Sequence, residues 1–346
     1  MLKSLINKKL ILLIAIALTI VSCNEPQQEK PQAAAPVAVD TVTSPHVKEE
    51  PKLEPLNASD ITLREELLYK EYYLEDEYPY KDTTRSFKID QIKEKLAFVE
   101  SLEEEKGEWA VVRNYKNMNG QAPTVKGFVR NDYGRVSDSY GTERYQSAPL
   151  YDLNDQESPI RYANDGWLTH VLDTVGKFYK ITPIKADKEE FLIPKRYLKQ
   201  LGTDLKFHHV IIVDRGDQNI MTLERESRGT WLIRSKNPAT TGLKKPPHQM
   251  PTPLGIFLLQ QKKPKMIYLK DGSDEHGGYA PWASRFTNGG YIHGVPVNLP
   301  RTKPIEYSAS LGTTPRSHMC VRNATSHAKF IYDWAPTEES LVIVIE

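Results

Sequence analysis

Ser317-His318-Met319-Cys320-Val321-Arg322-Asn323, read together with Asn288-Gly289-Gly290-Tyr291-Ile292-His293-Gly294, decides what this chain is built to do. A thiol attacks as its thiolate, and a nearby imidazole or helix N-terminus lowers its pKa. Cys320 and His293 stand on separate strands or loops, so they are candidates for a nucleophile and base that pair through the fold. Glycines on either side of His293 let the backbone turn tightly and approach a substrate. Ala324 to Trp334 reads as a helix, which sets Cys320 just before a helix N-terminus. Unpaired N–H groups there would stabilise a developing oxyanion. Arg322 adds a permanent guanidinium suited to a substrate carboxylate. The substrate class implied is an acyl compound with a carboxylate close by. Plainer readings stand beside these: Cys320 as an inert buried thiol, His293 as a structural residue, Arg322 as a surface charge. His208, His209, His248, His276 and His327 are read as ordinary histidines.

The chain has only two cysteines. The other, Cys23, follows Lys3, Lys8-Lys9 and an apolar run from Leu10 to Val21, the layout of a secretory signal. That run is shorter than the ~20 residues a bilayer-spanning helix needs. Ile20-Val21-Ser22-Cys23 resembles a bacterial lipobox. The resemblance implies a signal peptide over 1–22, lipidation of Cys23 and a lipid-anchored protein facing the periplasm. Cys320 then has no intramolecular disulfide partner, and a lone thiol in an oxidising compartment is a candidate reactive group. Residues 23–59 are rich in Pro, Ala, Gln, Glu and Lys, the composition of an extended tether. The formal net charge is +1, so no polyanion is expected as partner. No zinc-finger spacing, P-loop or dinucleotide fingerprint occurs, and neither metal nor cofactor is expected.

Residues 60–140 are expected to be helical or mixed. Ile61, Leu63, Leu67 and Leu68 and then Ile89, Ile92, Leu96, Phe98, Val99 and Leu102 recur at roughly helical spacing, with Pro79 between two helices. From Trp109 onward the texture is that of short strands. Residues 141–203 resemble a bacterial Src-homology-3-like β-barrel. The resemblance rests on Pro149-Leu150-Tyr151-Asp152, the Asp165-Gly166-Trp167 turn, Gly176 to Ile181 and Ile193 to Leu198. From 204 to 346 the chain is again β-rich, with His209–Asp214, Ile220–Leu223, Trp231–Arg234, Gly255–Leu259 and Leu341–Ile345 as strands.

This last region resembles the L,D-transpeptidase catalytic domain. The matching residues are His209 to Asp214 with Gln218, Thr241-Gly242, Thr252 to Phe257 and the two strings quoted first. The resemblance implies a mainly β chain: a β-sandwich catalytic domain preceded by the small barrel and a helical N-terminal segment. It implies a peptidoglycan enzyme that cuts after diaminopimelate in a tetrapeptide stem and forms a thioester on the cysteine. Cys320 would be the nucleophile and His293 the proton acceptor and donor. His318 would hold the cysteine loop, Gly294 would give backbone support, and Arg322, Ser317 and Tyr291 would contact substrate. Water as acceptor would make the protein an L,D-carboxypeptidase or endopeptidase. A non-catalytic peptidoglycan-binding lipoprotein is the alternative from another class. Two departures stand out. Met319 occupies a position where the family usually has glycine, and residues 295–316 form a long insertion, expected to lie over the cleft as a lid or rim loop.

Overall fold

His209–Asp214 and Ser340–Ile345 are nearly continuous apolar runs, as strands covered on both faces must be. A computed structural model, which describes residues 54–105, 107–184 and 189–346, sets them side by side inside a six-stranded sheet. They run parallel, His209 opposite Ser340 through Asp214 opposite Ile345. Asn219–Ser227, Thr230–Pro238 and Thr62–Glu65 extend the sheet on one side, and Gly255–Leu258 on the other. Strand alternation gives this sheet two cores. Val210 and Ile212 pack with Ile92, Leu96 and Val99 of helix α1 (Ile89–Glu103). Ile211 and Val213 pack with Phe257, Phe286, Ile292, Val321 and Ile331.

That second core is shared with a sheet ordered Gln261–Leu269, His276–Thr287, Gly290–His293 and Val321–Arg322, with Val297–Asn298 added alongside His276–Thr287. Helix α2 (Thr325–Trp334) packs on the same sheet, with Ile331 buried in that core. The architecture is mainly β, these two packed sheets carry one helix each, and α1 and α2 are the only α-helices among the described residues.

The N-terminal expectation needs correction. Of two expected helices over 60–106, only α1 forms. Thr62–Glu65 is instead a strand, paired in parallel with Thr230–Ile233, because that sheet edge offers open backbone groups that a short strand can satisfy. Glu77–Tyr80 and Thr83–Ser86 form a hairpin. Helix α1 is tied to the six-stranded sheet through buried Glu100, which pairs with Arg225 and accepts from Trp231 Nε1 at 2.7 Å. Leu56 packs against the same core, so order begins before residue 59. The signal segment, Cys23 and the tether through Leu53 lie outside the described residues.

In sequence between α1 and His209–Asp214, the chain forms a five-stranded sheet ordered Phe191–Pro194, Phe178–Pro183, Leu168–Val175, Glu108–Val112 and Leu198–Gly202. Glu108–Val112 is an inner strand of it, so this upstream module begins near 108 rather than 141. The sequence distance hid that pairing, since Val111 lies opposite Leu168 and Lys199.

Candidate active site

Two short parallel strands carry the site. Gly290–His293 pairs with Val321–Arg322, Ile292 opposite Val321 and His293 opposite Arg322. Ile292 and Val321 are fully buried in the second core. Alternation therefore sends Tyr291, His293, Cys320 and Arg322 to the other face of the sheet. Cys320 and His293 are one strand apart and two residues along. Strand spacings of ~4.8 Å and ~3.3 Å per residue put their Cα atoms ~8 Å apart, within reach of converging side chains.

The imidazole is fixed. His293 Nδ1 lies 2.6 Å from the carbonyl oxygen of Gly294. A carbonyl only accepts, so Nδ1 carries the proton and Nε2 keeps its lone pair. Burial holds the ring neutral, pushed down to about 4. A side chain at Gly294 would meet Thr325 Oγ1 at 2.7 Å and Pro281 Cγ at 2.9 Å, so this close packing admits only glycine.

The thiol is also buried. Cys320 is pushed up to about 11, chiefly by desolvation, against a backbone N–H from Tyr291 and the positive charge of Arg322. Its Sγ donates to the Gly289 carbonyl at 3.5 Å. In this resting form the pair is thiol and neutral imidazole. Arg322 is partly buried beside the sulfur, and its Nε has no hydrogen-bond partner among the described residues. Such a group is placed to meet an incoming carboxylate.

Other expected site residues have different surroundings. Ser317 is 1% exposed, and its hydroxyl donates to the Cys320 carbonyl, so it supports the loop. Tyr291 is 2% exposed, packs with Cys320 and pairs its hydroxyl with that of Tyr115 at 3.4 Å. It too is a support rather than a substrate contact. His318 projects outward, its Nε2 3.0 Å from Asp271 Oδ2 in the turn between two strands, so it braces the rim and not the inside of the cysteine loop. The helix N-terminus is unavailable as an oxyanion site. Helix α2 begins at Thr325, whose N–H donates to the Glu306 carbonyl, and the Ser326 N–H donates to the Glu306 carboxylate.

Met319 sits at φ 74°, in the left-handed region. Its N–H donates to Met250 O at 2.8 Å, and its carbonyl accepts from Thr252 Oγ1 at 2.8 Å. Thr252 Oγ1 also accepts from the Gly242 N–H. A Cβ on Gly242 would stand 2.2 Å from Met250 O and 2.8 Å from Met319 N. The Thr241-Gly242 and Thr252 motifs are thus the frame of the cysteine loop. Nothing in the sequence tied them to Met319.

The insertion 295–316 is not a flap over the cysteine. Its first part pairs Val297–Asn298 with Gly278–Tyr279, and Asn298 Oδ1 accepts from the Tyr268 hydroxyl at 2.6 Å. Its later part clasps the start of α2 through Ile305 and Glu306, stacks Tyr307 on Tyr72 at 4.4 Å, and receives Arg85 at Gly312 and Thr313. What borders the cysteine loop instead is the upstream module. Tyr133 donates to Gln249 O at 2.7 Å, Asp132 pairs with Lys244 at 2.6 Å, and Arg135 donates to Met250 Sδ at 3.0 Å. A cavity of about 110 Å³ remains there, bounded by Gly289, Met319, Asn288 and His318 on one wall and by Arg135 and Glu143 on the other.

The C-terminal part of the molecule is therefore a two-sheet β fold with a buried cysteine and a tautomer-fixed histidine at adjacent strands. The YkuD family model, the L,D-transpeptidase catalytic domain, matches residues 208–344 of the chain. Three solved structures are similar to it. A fused Zn-dependent amidase/peptidase/peptidoglycan-binding domain-containing protein from Clostridium acetobutylicum shares 18% identity over 40% of this chain and 52% of its own, with a TM-score of 0.29. An L,D-transpeptidase from Mycobacterium smegmatis shares 18% over 51% of this chain and 82% of its own, TM-score 0.33. One from Mycobacterium tuberculosis shares 17% over 53% and 92%, TM-score 0.33. No curated protein matches the chain.

Proposed function

We propose that the chain is a peptidoglycan L,D-transpeptidase working through a thioester on Cys320. The observation that carries this is the pinned imidazole: Nδ1–H on the Gly294 carbonyl leaves Nε2 free to take a proton, on the face that bears the sulfur. In the first half-reaction the thiol proton passes to His293 Nε2, and the sulfur attacks the carbonyl carbon after diaminopimelate in a tetrapeptide stem. The C–N bond to the terminal D-alanine breaks, and the imidazolium returns its proton to the departing amine. Arg322 would hold a carboxylate of the donor. In the second half-reaction an amine attacks the thioester carbon, the C–S bond breaks, and the proton released ends on the sulfur. Water in place of the amine gives plain hydrolysis. Desolvation keeps the resting thiol protonated, so substrate entry and proton transfer to His293 must accompany attack.

The proposal extends to location. Lipidation of Cys23 would anchor the protein to a membrane, with the catalytic part facing the periplasm and its wall peptides. Intact mass of the membrane-extracted protein tests that, and an unmodified Cys23 would refute it. For the reaction, the protein is incubated with purified tetrapeptide muropeptides. An adduct on Cys320 equal to the stem minus D-alanine is expected by mass spectrometry, absent in Cys320→Ala. Wild-type protein that binds peptidoglycan but never acylates would hand the case to a non-catalytic binding role.

A further inference from the structure

Tyr115 belongs to the upstream module, outside residues 208–344, yet it is two contacts from the nucleophile. Its hydroxyl meets the Tyr291 hydroxyl, and Tyr291 packs on Cys320, with its backbone N–H among the groups that favour the thiolate. The segment carrying Tyr115 is held on all sides. Asn114 is fully buried, with Nδ2 donating to Ser147 O at 2.8 Å and Oδ1 accepting from the Asn119 N–H at 3.0 Å. The N–H groups of Asn114 and Tyr115 both donate to Asp165 Oδ1, at 2.8 and 3.0 Å. The other oxygen of Asp165 pairs with Arg285 and accepts from Gln260 Nε2 at 2.9 Å. Arg285 in turn lies 4.4 Å over the Tyr115 ring. Lys116 and Asn117 follow at φ 52° and 56°. Successive left-handed residues persist only where their surroundings over-determine them, and such strain gathers at functional sites.

A buried ion pair thus joins the upstream module to the strand His276–Thr287, and its one aromatic arm ends at the residue beside the sulfur. Packing alone would need no hydroxyl at that end. We infer that Tyr115 is a positioning residue for Cys320: its hydroxyl fixes Tyr291, the residue packed on the thiol, so that the catalytic domain is complete only with the upstream module. The inference rests on Cys320 being the reactive group of the proposed function, but it is a statement about the thiol itself and can be read without turnover.

The test is Tyr115→Phe in the full chain, which keeps the ring under Arg285 and removes only the hydroxyl. The rate of Cys320 alkylation by iodoacetamide is followed from pH 6 to 11 alongside thermal unfolding. A displaced Tyr291 backbone stabilises the thiolate less at a given pH, so alkylation at pH 8 should fall roughly fivefold, the worth of one hydrogen bond. The pH profile should move upward while the melting temperature stays within a few degrees. Tyr291→Phe should give the same shift, and the double variant no further one, because both changes break a single link. Profiles that overlay the wild type, or single effects that add, overturn the inference. A shifted profile in a protein that never acylates from a tetrapeptide donor would sustain the positioning role and sink the proposed reaction.

Discussion

Two buried histidines should make this protein acid-labile in a way that can be apportioned. His293 is held at about 4 and His327 at about 3, both by desolvation, from an ordinary value of 6.5. His327 is fully buried, with Nε2 2.9 Å from Ser235 Oγ and Nδ1 3.2 Å from Asn323 Oδ1. A group whose folded pKa is depressed contributes stability that is complete above its unfolded pKa. That contribution disappears as pH falls through the folded value. The window here runs from about 6.5 down to about 4 for His293 and about 3 for His327. Between pH 7 and 5 the unfolded imidazoles protonate and the folded ones do not. Each then removes about 2 kcal/mol, or about 4 kcal/mol together. Urea unfolding followed by tryptophan fluorescence at pH 7 and pH 5 measures the sum. His327→Gln, neutral at both pH values and able to keep both hydrogen bonds, should lose about 2 kcal/mol less than wild type over the same interval. Carboxylates such as buried Glu103, raised by desolvation, contribute with the opposite sign but equally in both proteins, so they cancel in the difference. A His327→Gln variant with the wild-type pH dependence, to within about 0.5 kcal/mol, would refute the reasoning.

Three further outcomes follow from the same geometry. Met319→Gly should raise stability by about 1 kcal/mol, since glycine takes φ 74° without strain, and should leave the acylation rate equal or higher; thermal melts and acyl-enzyme mass check it. Arg322→Gln should raise KM for a tetrapeptide donor by at least ~10-fold with a smaller loss of kcat, if the guanidinium holds a carboxylate in ground and transition states alike. Glu100→Leu should destabilise by about 3 kcal/mol, because it leaves Arg225 with Glu103 alone and removes the acceptor from Trp231 Nε1 and the Gly229 N–H; chemical denaturation reads this directly.

The candidate pair Cys320 and His293 was legible because such chemistry is carried by residue type within short strings. The central strands were legible because burial on both faces writes an unbroken apolar run. What escaped were features set by partners far away in sequence. Thr62–Glu65 has helical spacing around it but pairs with residues some 170 positions on, and that edge decided its state. The long strand Gln261–Leu269 is largely exposed and carries Lys262, Lys263 and Lys265, so its alternation is faint. Tyr115 has no motif at all; its place depends on Asp165 meeting Arg285 across 120 residues. The oxyanion expectation failed for a local reason, a helix start one turn later than the cysteine required and already satisfied by Glu306.

Met319 shows why a departure from the family pattern need not unmake a site. A methionine at φ 74° is strained, by ~1–3 kcal/mol. Left alone, that loop would relax toward negative φ and turn both peptide planes flanking Met319. Both are held: the N–H on one side by Met250 O, the carbonyl on the other by Thr252 Oγ1. Two hydrogen bonds at about 1 kcal/mol each offset a strain of that size, and Ser317 adds a third by closing on the Cys320 carbonyl. Met250 is in turn touched by Arg135 of the upstream module. The loop therefore keeps its shape through neighbours rather than through a glycine. The same neighbours that tolerate the methionine also tie the Cys320 loop to the module upstream.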